Sequence, residues 1–360
     1  MSGEKNLAIV ILNWNKWQDT LECLTSLTES TYQNFTIILI DNGSTDNSAE
    51  KIRAWATGKI SVSVGPFPHK AETKPFPIIE YNYSQIKREN GNFLESKGTN
   101  NLILIKNDLN VGFARGANIG IRYALKNNFE KVLLLNNDTT VDPDCLKILS
   151  EFLDRNKAYD VAVPKICYYA KPEKIVSCGA KLTFTGSRKY FCLNEEENET
   201  TKRGIKNITF ASGCALLARS NVFKNYGLLT ERFFFGEEDY EFSLRMRKNK
   251  VKMASVLSAK VYHKVSVSSK TVLGQNKIVS AFIGLLSRYV DMKFYYRNSY
   301  WKIWRMVSLG YILPMLKIKY NVSVKKLFRF VRLLLQYSND HSGVSKDDFF
   351  SAKELLGENE

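Results

Sequence analysis

The 360-residue sequence is poor in acidic residues relative to basic ones. It has 36 Asp and Glu against 52 Lys and Arg, which leaves a formal net charge of +16. Such an excess favours a polyanionic partner, whether a phosphorylated small molecule, a nucleic acid or an anionic membrane surface. Apolar residues make up 44% of the chain, and this share excludes a wholly disordered protein.

Several other patterns are missing as well. None of the six cysteines stands in a Cys-x-x-Cys pair, which argues against a zinc site and against the disulfide framework of a small secreted domain. No apolar run reaches the roughly 18–20 residues that a membrane-spanning helix needs. The N-terminal apolar segment around residues 7–12 is short and lacks the small-residue cleavage site of a signal peptide. We therefore expect an intracellular, cytoplasmic protein.

The first 165 residues repeat one unit, in which a short apolar run is followed by a polar turn and a helical pattern. This alternation predicts an α/β fold with a mostly parallel sheet and helices on both faces. The predicted strands cover residues 7–12, 36–40, 102–106 and 131–135, and helices are predicted at 17–28 and from about residue 48. Polar clusters follow three of these strands, at the edge where such sheets bind ligands.

Two regions depart from this pattern. Between about residues 65 and 99, four prolines and many polar residues predict a long surface excursion. From residue 280 to 335 there are eleven Lys or Arg and one acid, Asp291, interleaved with aromatic and aliphatic residues. This composition favours helices that lie at an anionic membrane surface. The alternative is a basic helical bundle packed on the main domain.

Carboxylates stand where chemistry could occur. Asp41 and Asp138 each follow a predicted strand, where a carboxylate can bind a base or ribose or hold a divalent cation. Four acids lie within residues 237–241, at the start of a predicted helix over 238–248. A carboxylate crowded by like charge can serve as a general base. For each position the alternative is an ordinary turn or helix-capping residue.

Five short segments carry the motifs of this sequence. They lie at residues 9–15, 41–46, 110–118, 135–138 and 238–241, and further along the chain Arg297-Asn298 follows Tyr295-Tyr296. Together they resemble family 2 glycosyltransferases of the GT-A fold, over about residues 6–300. The likeness is greatest to the rhamnosyltransferase-like branch that builds bacterial surface polysaccharides.

The resemblance implies a role for each matching residue. It implies that Asp239 is the base that deprotonates the acceptor hydroxyl, with Glu238 beside it as the other member of a catalytic pair. It also implies that Asp138 holds Mg²⁺ or Mn²⁺ on the donor diphosphate, with His263 as a further metal ligand. The residues implied to bind the nucleotide sugar are Asn13, Asn15, Asp41, Arg115, Asn118, Asn137 and Asp138.

Two positions depart from the family pattern. The family's Asp-x-Asp is here Asn136-Asn137-Asp138, which leaves one charged ligand for a metal. Glu241 stands where the family more often has Asp, which puts its packing or acceptor role in question but leaves the base unaffected.

The resemblance implies a GT-A domain over residues 1–269, with a nucleotide-binding half (1–165), an acceptor and catalytic half (166–269) and a basic amphipathic helical region at 270–360. We expect an inverting, metal-assisted glycosyltransferase at the inner face of the plasma membrane. We expect its donor to be dTDP-rhamnose, or alternatively a UDP-hexose or a UDP-N-acetylhexosamine. We expect its acceptor to be a glycan that can be lipid-linked. Nucleic acid is not an expected partner. The other classes considered are a nucleotidyltransferase and a non-catalytic membrane or nucleic-acid binding protein.

Overall fold

The computed structural model describes residues 7–66, 75–88, 101–234, 236–265 and 277–357. The strands are β1 (Leu7–Asn13), β2 (Phe35–Asn42), β3 (Ile78–Asn82), β4 (Leu102–Asn107), β5 (Lys131–Asn136), β6 (Thr139–Val141), β7 (Val161–Tyr168), β8 (Lys171–Ser177), β9 (Ala180–Leu182), β10 (Arg188–Tyr190), β11 (Ile205–Ile208), β12 (Ala215–Arg219) and β13 (Met253–His263).

Helices alternate with strands through the first half of the chain and follow one another at its end. They are α1 (Trp17–Thr28), α2 (Ser48–Ala56), α3 (Tyr83–Arg88), α4 (Phe113–Lys126), α5 (Cys145–Arg155), α6 (Glu199–Lys202), α7 (Ser220–Tyr226), α8 (Glu238–Lys248), α9 (Lys277–Tyr295), α10 (Asn298–Tyr320), α11 (Val324–Asp340) and α12 (Lys346–Gly357).

Within the described residues, eleven strands form one sheet in the order β11-β13-β7-β12-β5-β1-β2-β4-β3, with β6 paired to β13 and β8 to β7. From β3 to β5 all neighbouring strands are parallel, as the repeated strand–helix unit predicts. β12 is antiparallel to both β5 and β7, so the other half of the sheet is mixed. The predicted α/β class, with its parallel strands flanked by helices, is confirmed.

The central strands are buried on both faces. Along β1, Leu7, Ile9 and Ile11 pack into one core and Ala8 and Val10 into the other. A strand covered on both sides must be apolar at every position, which is why these strands appear in the sequence as continuous apolar runs. The first core includes side chains of α1, α2 and α5, and the second includes side chains of α4 and α8.

Two glycines bring α4 close to β1. A Cβ added at Gly116 would lie 2.4 Å from Leu12 Cδ1, and one added at Gly120 would lie 2.6 Å from Val10 Cγ1. Spaced four residues apart, these glycines share one face of the helix. The glycine-rich stretch at residues 112–120 thus has a packing role along the helix.

The predicted surface excursion is wrong for part of its length. Residues 78–82 form β3, which pairs in parallel with β4 and is tied to α2 by an ion pair between Arg53 and Glu80 at 2.6 Å. β3 has β4 as its neighbour at the end of the sheet and is only half-buried. Its apolar residues therefore form no run long enough for the strand to be recognised from the sequence. Residues 67–74 and 89–100 of the excursion lie outside the described residues.

The C-terminal helices α9 to α12 share a third core with residues from the preceding part of the chain. That core contains Tyr289 and Trp301 from the helices together with Phe210, Phe233 and Tyr240. Trp301 Nε1 donates to the Tyr289 carbonyl at 2.8 Å, which joins α10 to α9. In the described ranges, no helix combines the length and apolarity needed to cross a membrane. The predicted boundary at residues 269/270 lies outside the described residues.

Candidate active site

The carboxyl ends of β1 and β2 lie side by side, with Asn13 opposite Asp41. Asn13 Nδ2 donates to Asp41 Oδ1 and to Ser44 Oγ, each at 3.0 Å, and the Ser44 hydroxyl donates to the same Asp41 oxygen. Thr20 Oγ1 in turn donates to Asn13 Oδ1 at 2.8 Å. A buried carboxylate requires such donors. The network fixes Asp41 at the edge of the sheet where ligands bind in α/β folds.

The turn after β2 depends on a glycine and on Asn15. Gly43 has φ +72°, and a Cβ added there would lie 2.5 Å from the backbone carbon of Leu109. Asn15, itself at φ 51°, accepts a hydrogen bond from Thr45 N at 2.7 Å through Oδ1. Its backbone N–H donates to Ser44 Oγ at 3.0 Å. In the described contacts Asn15 therefore holds the turn that carries Ser44.

Asn42 links this turn to the loop before α4. Its Nδ2 donates to Asn110 Oδ1 at 2.9 Å, and its Oδ1 accepts from Asn107 Nδ2 at 2.9 Å. Asn42 is fully buried, so these bonds replace the water that its amide loses on folding. The sequence analysis did not single out Asn42, because its partners lie some 65 residues further along the chain.

Asn137 and Asp138 connect β5 to β6, and the pairing of β6 with β13 carries His263 opposite Thr139. Asp138 Oδ1 lies 3.0 Å from His263 Nε2. Burial raises the pKa of the Asp138 carboxyl, but the hydrogen bond and charge of His263 outweigh burial and leave that pKa below its ordinary value. Asn137 Nδ2 donates to Thr20 Oγ1 at 2.9 Å, which joins this turn to the Asn13–Asp41 network.

The pair formed by Asp138 and His263 was tested as a site for the divalent cation that the family resemblance implies. In the part of the chain that the structure describes, no group of three or more His, Cys, Asp or Glu side chains is placed to hold a metal ion. Asp138 supplies a carboxylate, which Mn²⁺ accepts as a ligand. His263 could join it only as a neutral imidazole, without the positive charge that lowers the pKa of Asp138. Mg²⁺ also commonly takes one or two protein carboxylates and completes its shell with substrate phosphates. Asp138 thus fits a cation that a bound diphosphate helps to hold, with His263 as a second ligand only in its neutral form.

Asp239 lies in the first turn of α8, where the aligned peptide dipoles favour a negative charge. Its Oδ2 accepts a hydrogen bond from Gly213 N at 3.2 Å, and its Oδ1 accepts one from Arg188 Nη2 at 3.3 Å. The chain enters α8 through Gly236 and Glu237, both in the left-handed region at φ 77° and 70°. This entry presents consecutive acidic side chains at the start of the helix.

Glu237 and Glu238 have different surroundings from Asp239. Glu237 forms a two-point ion pair with Arg288 of α9, in which Arg288 Nε donates to Oε1 and Nη2 donates to Oε2 at 3.2 Å. Burial, and after it the charge of Asp239, raises the pKa of the Glu238 carboxyl to about 8. At neutral pH Glu238 is therefore mostly protonated.

Arg188 is a site residue that the sequence analysis missed. Its guanidinium carbon lies 4.6 Å from the ring centre of Phe210 and 5.3 Å from that of Tyr240. Burial lowers the pKa of this guanidinium, but the charges of Asp239 and Glu237 outweigh burial and raise it above its ordinary value. Arg188 stands in the short strand β10, 51 positions before Asp239, and no motif around it signals the contact.

Arg115 and Asn118 meet at Glu231. Asn118 Nδ2 donates to Glu231 Oε1 at 2.8 Å and to the Leu229 carbonyl at 2.9 Å, and its Oδ1 accepts from Leu229 N at 3.0 Å. Arg115 Nε lies 3.5 Å from Glu231 Oε2. The described contacts of Asn118 thus hold the segment at residues 229–231, whereas Arg115 is mostly exposed. Their predicted role in donor binding stays a prediction.

A short segment at the start of β12 joins the two acidic centres. Gly213 N donates to Asp239, while the Cys214 carbonyl accepts from Asn136 N at 2.9 Å, two residues before Asp138. The hydrogen-bond network of β1 and β2 is joined to the turn at Asn137 and Asp138, because Asn137 donates to Thr20 and Thr20 donates to Asn13. The fold therefore gathers Asn13, Asp41, Asn137, Asp138, His263 and Asp239 around one edge of the sheet, although they are spread over 250 residues.

Comparison with known families identifies this arrangement. A model described as "Glycosyltransferase like family 2" matches residues 95–277, half of the chain, and one described as "Glycosyl transferase family 2" matches residues 8–70. The chain belongs to glycosyltransferase family 2. The two matched segments of this family 2 protein contain every residue that the sequence analysis predicted for the site.

Two curated proteins share part of the chain. The dTDP-rhamnosyl transferase RfbF of Shigella flexneri is 26% identical over 46% of this chain and 53% of its own length. The low-salt glycan biosynthesis hexosyltransferase Agl10 of Haloferax volcanii is 27% identical over 39% of this chain and 45% of its own length. The chain thus spans about half the length of these relatives. The similarity to RfbF agrees with the predicted rhamnosyltransferase-like branch.

A solved structure shares the fold. Residues 1–349 of TarS from S. aureus align with 98% of this family 2 chain and 88% of that chain, at 13% sequence identity and a TM-score of 0.50. The family membership and the fold predicted from the sequence are therefore both confirmed. The roles of the individual residues stay predictions.

Proposed function

We propose that this family 2 protein is an inverting glycosyltransferase that moves a sugar from a nucleoside-diphosphate donor to a hydroxyl group of a growing glycan. The observation that carries the proposal is that residues 213–214 contact both Asp239, through Gly213 N, and Asn136, which stands two residues before Asp138. Sugar transfer needs a base beside the attacking hydroxyl and a neutralised diphosphate on the leaving side. Two separate carboxylates can divide those tasks.

On the acceptor side, Asp239 takes the proton of the attacking hydroxyl. The hydroxyl oxygen forms its bond to the anomeric carbon while the bond from that carbon to the diphosphate oxygen breaks, and the diphosphate leaves with the electron pair. Because attack and departure occur on opposite faces, the anomeric configuration inverts. Glu238, mostly protonated at neutral pH, cannot itself take that proton.

On the donor side, Asp41 and Asn13 are the proposed contacts of the nucleoside, and Asp138 lies beside the diphosphate. Asp138 and His263 are the residues that would hold Mg²⁺ or Mn²⁺. When bound, such a cation neutralises the charge that develops on the leaving diphosphate. The remaining predicted donor contacts are Asn15, Arg115, Asn118 and Asn137.

We propose dTDP-rhamnose as the donor and a bacterial surface polysaccharide as the product. The support is the matched segment of a dTDP-rhamnosyl transferase, together with the rhamnosyltransferase-like motifs. The hexosyltransferase among the relatives keeps a UDP-hexose as the second candidate donor. Pockets for such sugars differ by contacts worth about 1–3 kcal/mol each, so the donor must be measured.

We further propose that the acceptor is lipid-linked and that the enzyme works at the inner face of the plasma membrane. The support is the cationic C-terminal region, in which eleven Lys or Arg and one acid lie between residues 280 and 335. Such a region is attracted to anionic leaflets, with each cation near the surface worth about 1 kcal/mol.

The test is nucleoside-diphosphate release from dTDP-rhamnose and a panel of UDP-sugars, with a lipid-linked glycan pool as acceptor, with and without Mg²⁺ or Mn²⁺. We expect acceptor-dependent release from one donor. In Asp239→Asn the turnover number should fall by about 10²–10⁴-fold, the usual contribution of a general base. Donor affinity, measured by calorimetry, should change little.

The matched control is Glu199→Gln, which neutralises an exposed carboxylate whose only partner among the described contacts is Lys202. It should keep full activity. Release that is equal in wild type and Asp239→Asn would contradict the assigned base. Absence of release and of nucleotide binding with every donor would favour a non-catalytic binding protein.

A further inference from the structure

The solvent face of α10 is apolar. Tyr300, Ile303, Val307, Tyr311 and Ile318 are 46%, 63%, 66%, 79% and 83% exposed. At 3.6 residues per turn, their spacing of three, four, four and seven places all five on one side of the helix. The other side of α10 is buried in the third core through Trp301, Leu309 and Leu316. This helix is therefore apolar on both faces, and one of them faces water.

The next helix continues this character. Phe328 and Val324 of α11 are also largely exposed. Exposed cations border these apolar residues on both helices, at Lys302, Lys317, Lys325, Arg329 and Arg332. Residues 298–339 contain no Asp or Glu. Soluble proteins rarely expose a continuous apolar stripe of this length, so the stripe marks a contact surface.

The charge pattern distinguishes between two occupants of that surface. In a two-fold contact with a second copy of this chain, the same patch would face itself. The cations of each copy would then oppose one another with no carboxylate between them, which disfavours association. An anionic lipid surface offers hydrocarbon for the stripe and phosphate groups for the cations. Helices with an apolar face bordered by Lys and Arg bind in the plane of such an interface.

We propose that α10 lies flat on an anionic membrane surface, with the five stripe residues inserted between the lipid headgroups and Lys302 and Lys317 at phosphate depth. Val324, Phe328 and the cations of α11 extend the contact. The inference does not depend on the reaction, because it rests on side chains remote from Asp138 and Asp239.

The experiment is flotation of the full-length protein with vesicles of phosphatidylcholine containing 30% phosphatidylglycerol, and with pure phosphatidylcholine vesicles. We expect binding to the anionic vesicles that weakens as salt is raised, because the cations contribute through screened charge. The variant Ile303→Ser/Tyr311→Ser/Ile318→Ser should lower the vesicle partition coefficient at least ~30-fold, since three large apolar side chains lose their burial in lipid. Its thermal unfolding should match wild type, because all three side chains are exposed.

The matched control is Phe184→Ser/Ile205→Ser, which removes two exposed apolar side chains from other elements and should float as wild type does. A second measurement covers misfolding. A nitrobenzoxadiazole label on Tyr311→Cys should shift to the blue on anionic vesicles, and the same label on Phe184→Cys should not.

Equal flotation of the stripe variant and wild type would overturn the proposal, as would an unshifted label at position 311. If light scattering shows that wild type is a dimer and the stripe variant a monomer, the proposal would be overturned in favour of a second copy of this chain. Because nucleotide release can be assayed with a soluble acceptor, failure of lipid binding leaves the proposed transferase activity separately testable.

Discussion

At the scale of single residues, the proposed base is held by two donors of different kinds. Gly213 contributes a backbone N–H to Asp239, and Arg188 contributes a positive charge. The raised pKa of Arg188 arises from Asp239 and Glu237, against the effect of burial. Arg188 therefore places a positive charge beside the proposed base. We infer that Arg188 is a positioning residue for the base.

Replacing Arg188 by Gln should lower the turnover number about 10- to 100-fold, which corresponds to a hydrogen bond to a charged group worth about 1.5–3 kcal/mol. Arg188→Lys keeps a positive charge beside Asp239 and should lose only part of the rate. The measurement is kcat and KM for the three proteins, and we expect the loss in kcat to exceed any change in KM, because Arg188 contacts the proposed base. An unchanged kcat in Arg188→Gln would contradict the assignment and indicate a packing role.

Prediction from the sequence placed correctly those residues that directly follow a strand or begin a helix. Asp41 and Asp138 follow apolar runs, and Asp239 lies at the start of a helix, so their positions in the fold could be predicted. Asn42 and Arg188 act through partners at least 51 positions away, and a single sequence carries no signal for such contacts. Asn118 was predicted to bind the donor, and its described hydrogen bonds go to the 229–231 segment.

At the scale of elements, glycines in α4 let this helix approach β1 closely. Gly120 lies against Val10, whose branched and buried side chain has no room to move. Gly284 in α9 is also a helical glycine, and a Cβ added there has no atom within 4 Å among the described residues. The two positions therefore separate the packing effect of a methyl group from its effect on helix propensity.

Gly120→Ala should destabilise the protein by about 1–3 kcal/mol, because overpacking at Val10 outweighs the gain in helix propensity. Gly284→Ala should stabilise it by about 0.5–1 kcal/mol, since only the propensity term remains. Thermal and urea unfolding of the two variants and wild type measure both effects. Equal shifts of the same sign at the two positions would show that α4 has room to move away from β1.

The elements that the sequence predicted best are those with the clearest pattern. The helices at 17–28 and 238–248, with their helical pattern, and the four parallel strands, with their continuous apolar runs, were located to within two residues. β3 was missed since its half-buried residues give no continuous apolar run. The antiparallel direction of β12 could not be predicted either, because strand direction depends on how the chain returns to the sheet.

At the scale of the whole molecule, the C-terminal helices share a core with the residues that flank the proposed base. Phe233 and Tyr240 pack with α9 to α12, and three polar contacts add to this packing. They are Arg288 with Glu237, Arg232 Nη2 with Asp291 Oδ1 at 2.7 Å, and Tyr295 Oη with Glu241 Oε1 at 2.5 Å. Arg288 and Tyr295 belong to α9, whereas Glu237 and Glu241 belong to the start of α8.

Removing residues 277–360 should therefore abolish cooperative thermal unfolding and sugar transfer to a soluble acceptor, because the core around Tyr240 loses its cover. The stripe variant of α10 alters the same region without touching that core and should retain both properties. Circular dichroism melts and nucleotide release measure the outcome. A shortened chain that melts cooperatively and transfers sugar would show that the catalytic half folds by itself.

The rigid packing of α9 has a consequence for the acceptor. α9 contacts α10 through Tyr289 and Trp301, and it contacts the start of α8 through Arg288 and Tyr295. If α10 lies on lipid, these packed side chains would keep Asp239 at a constant height above the bilayer. An acceptor anchored in the same bilayer could then be selected by reach: a glycan too short to span that height would not meet the base, however well its terminal sugar fits.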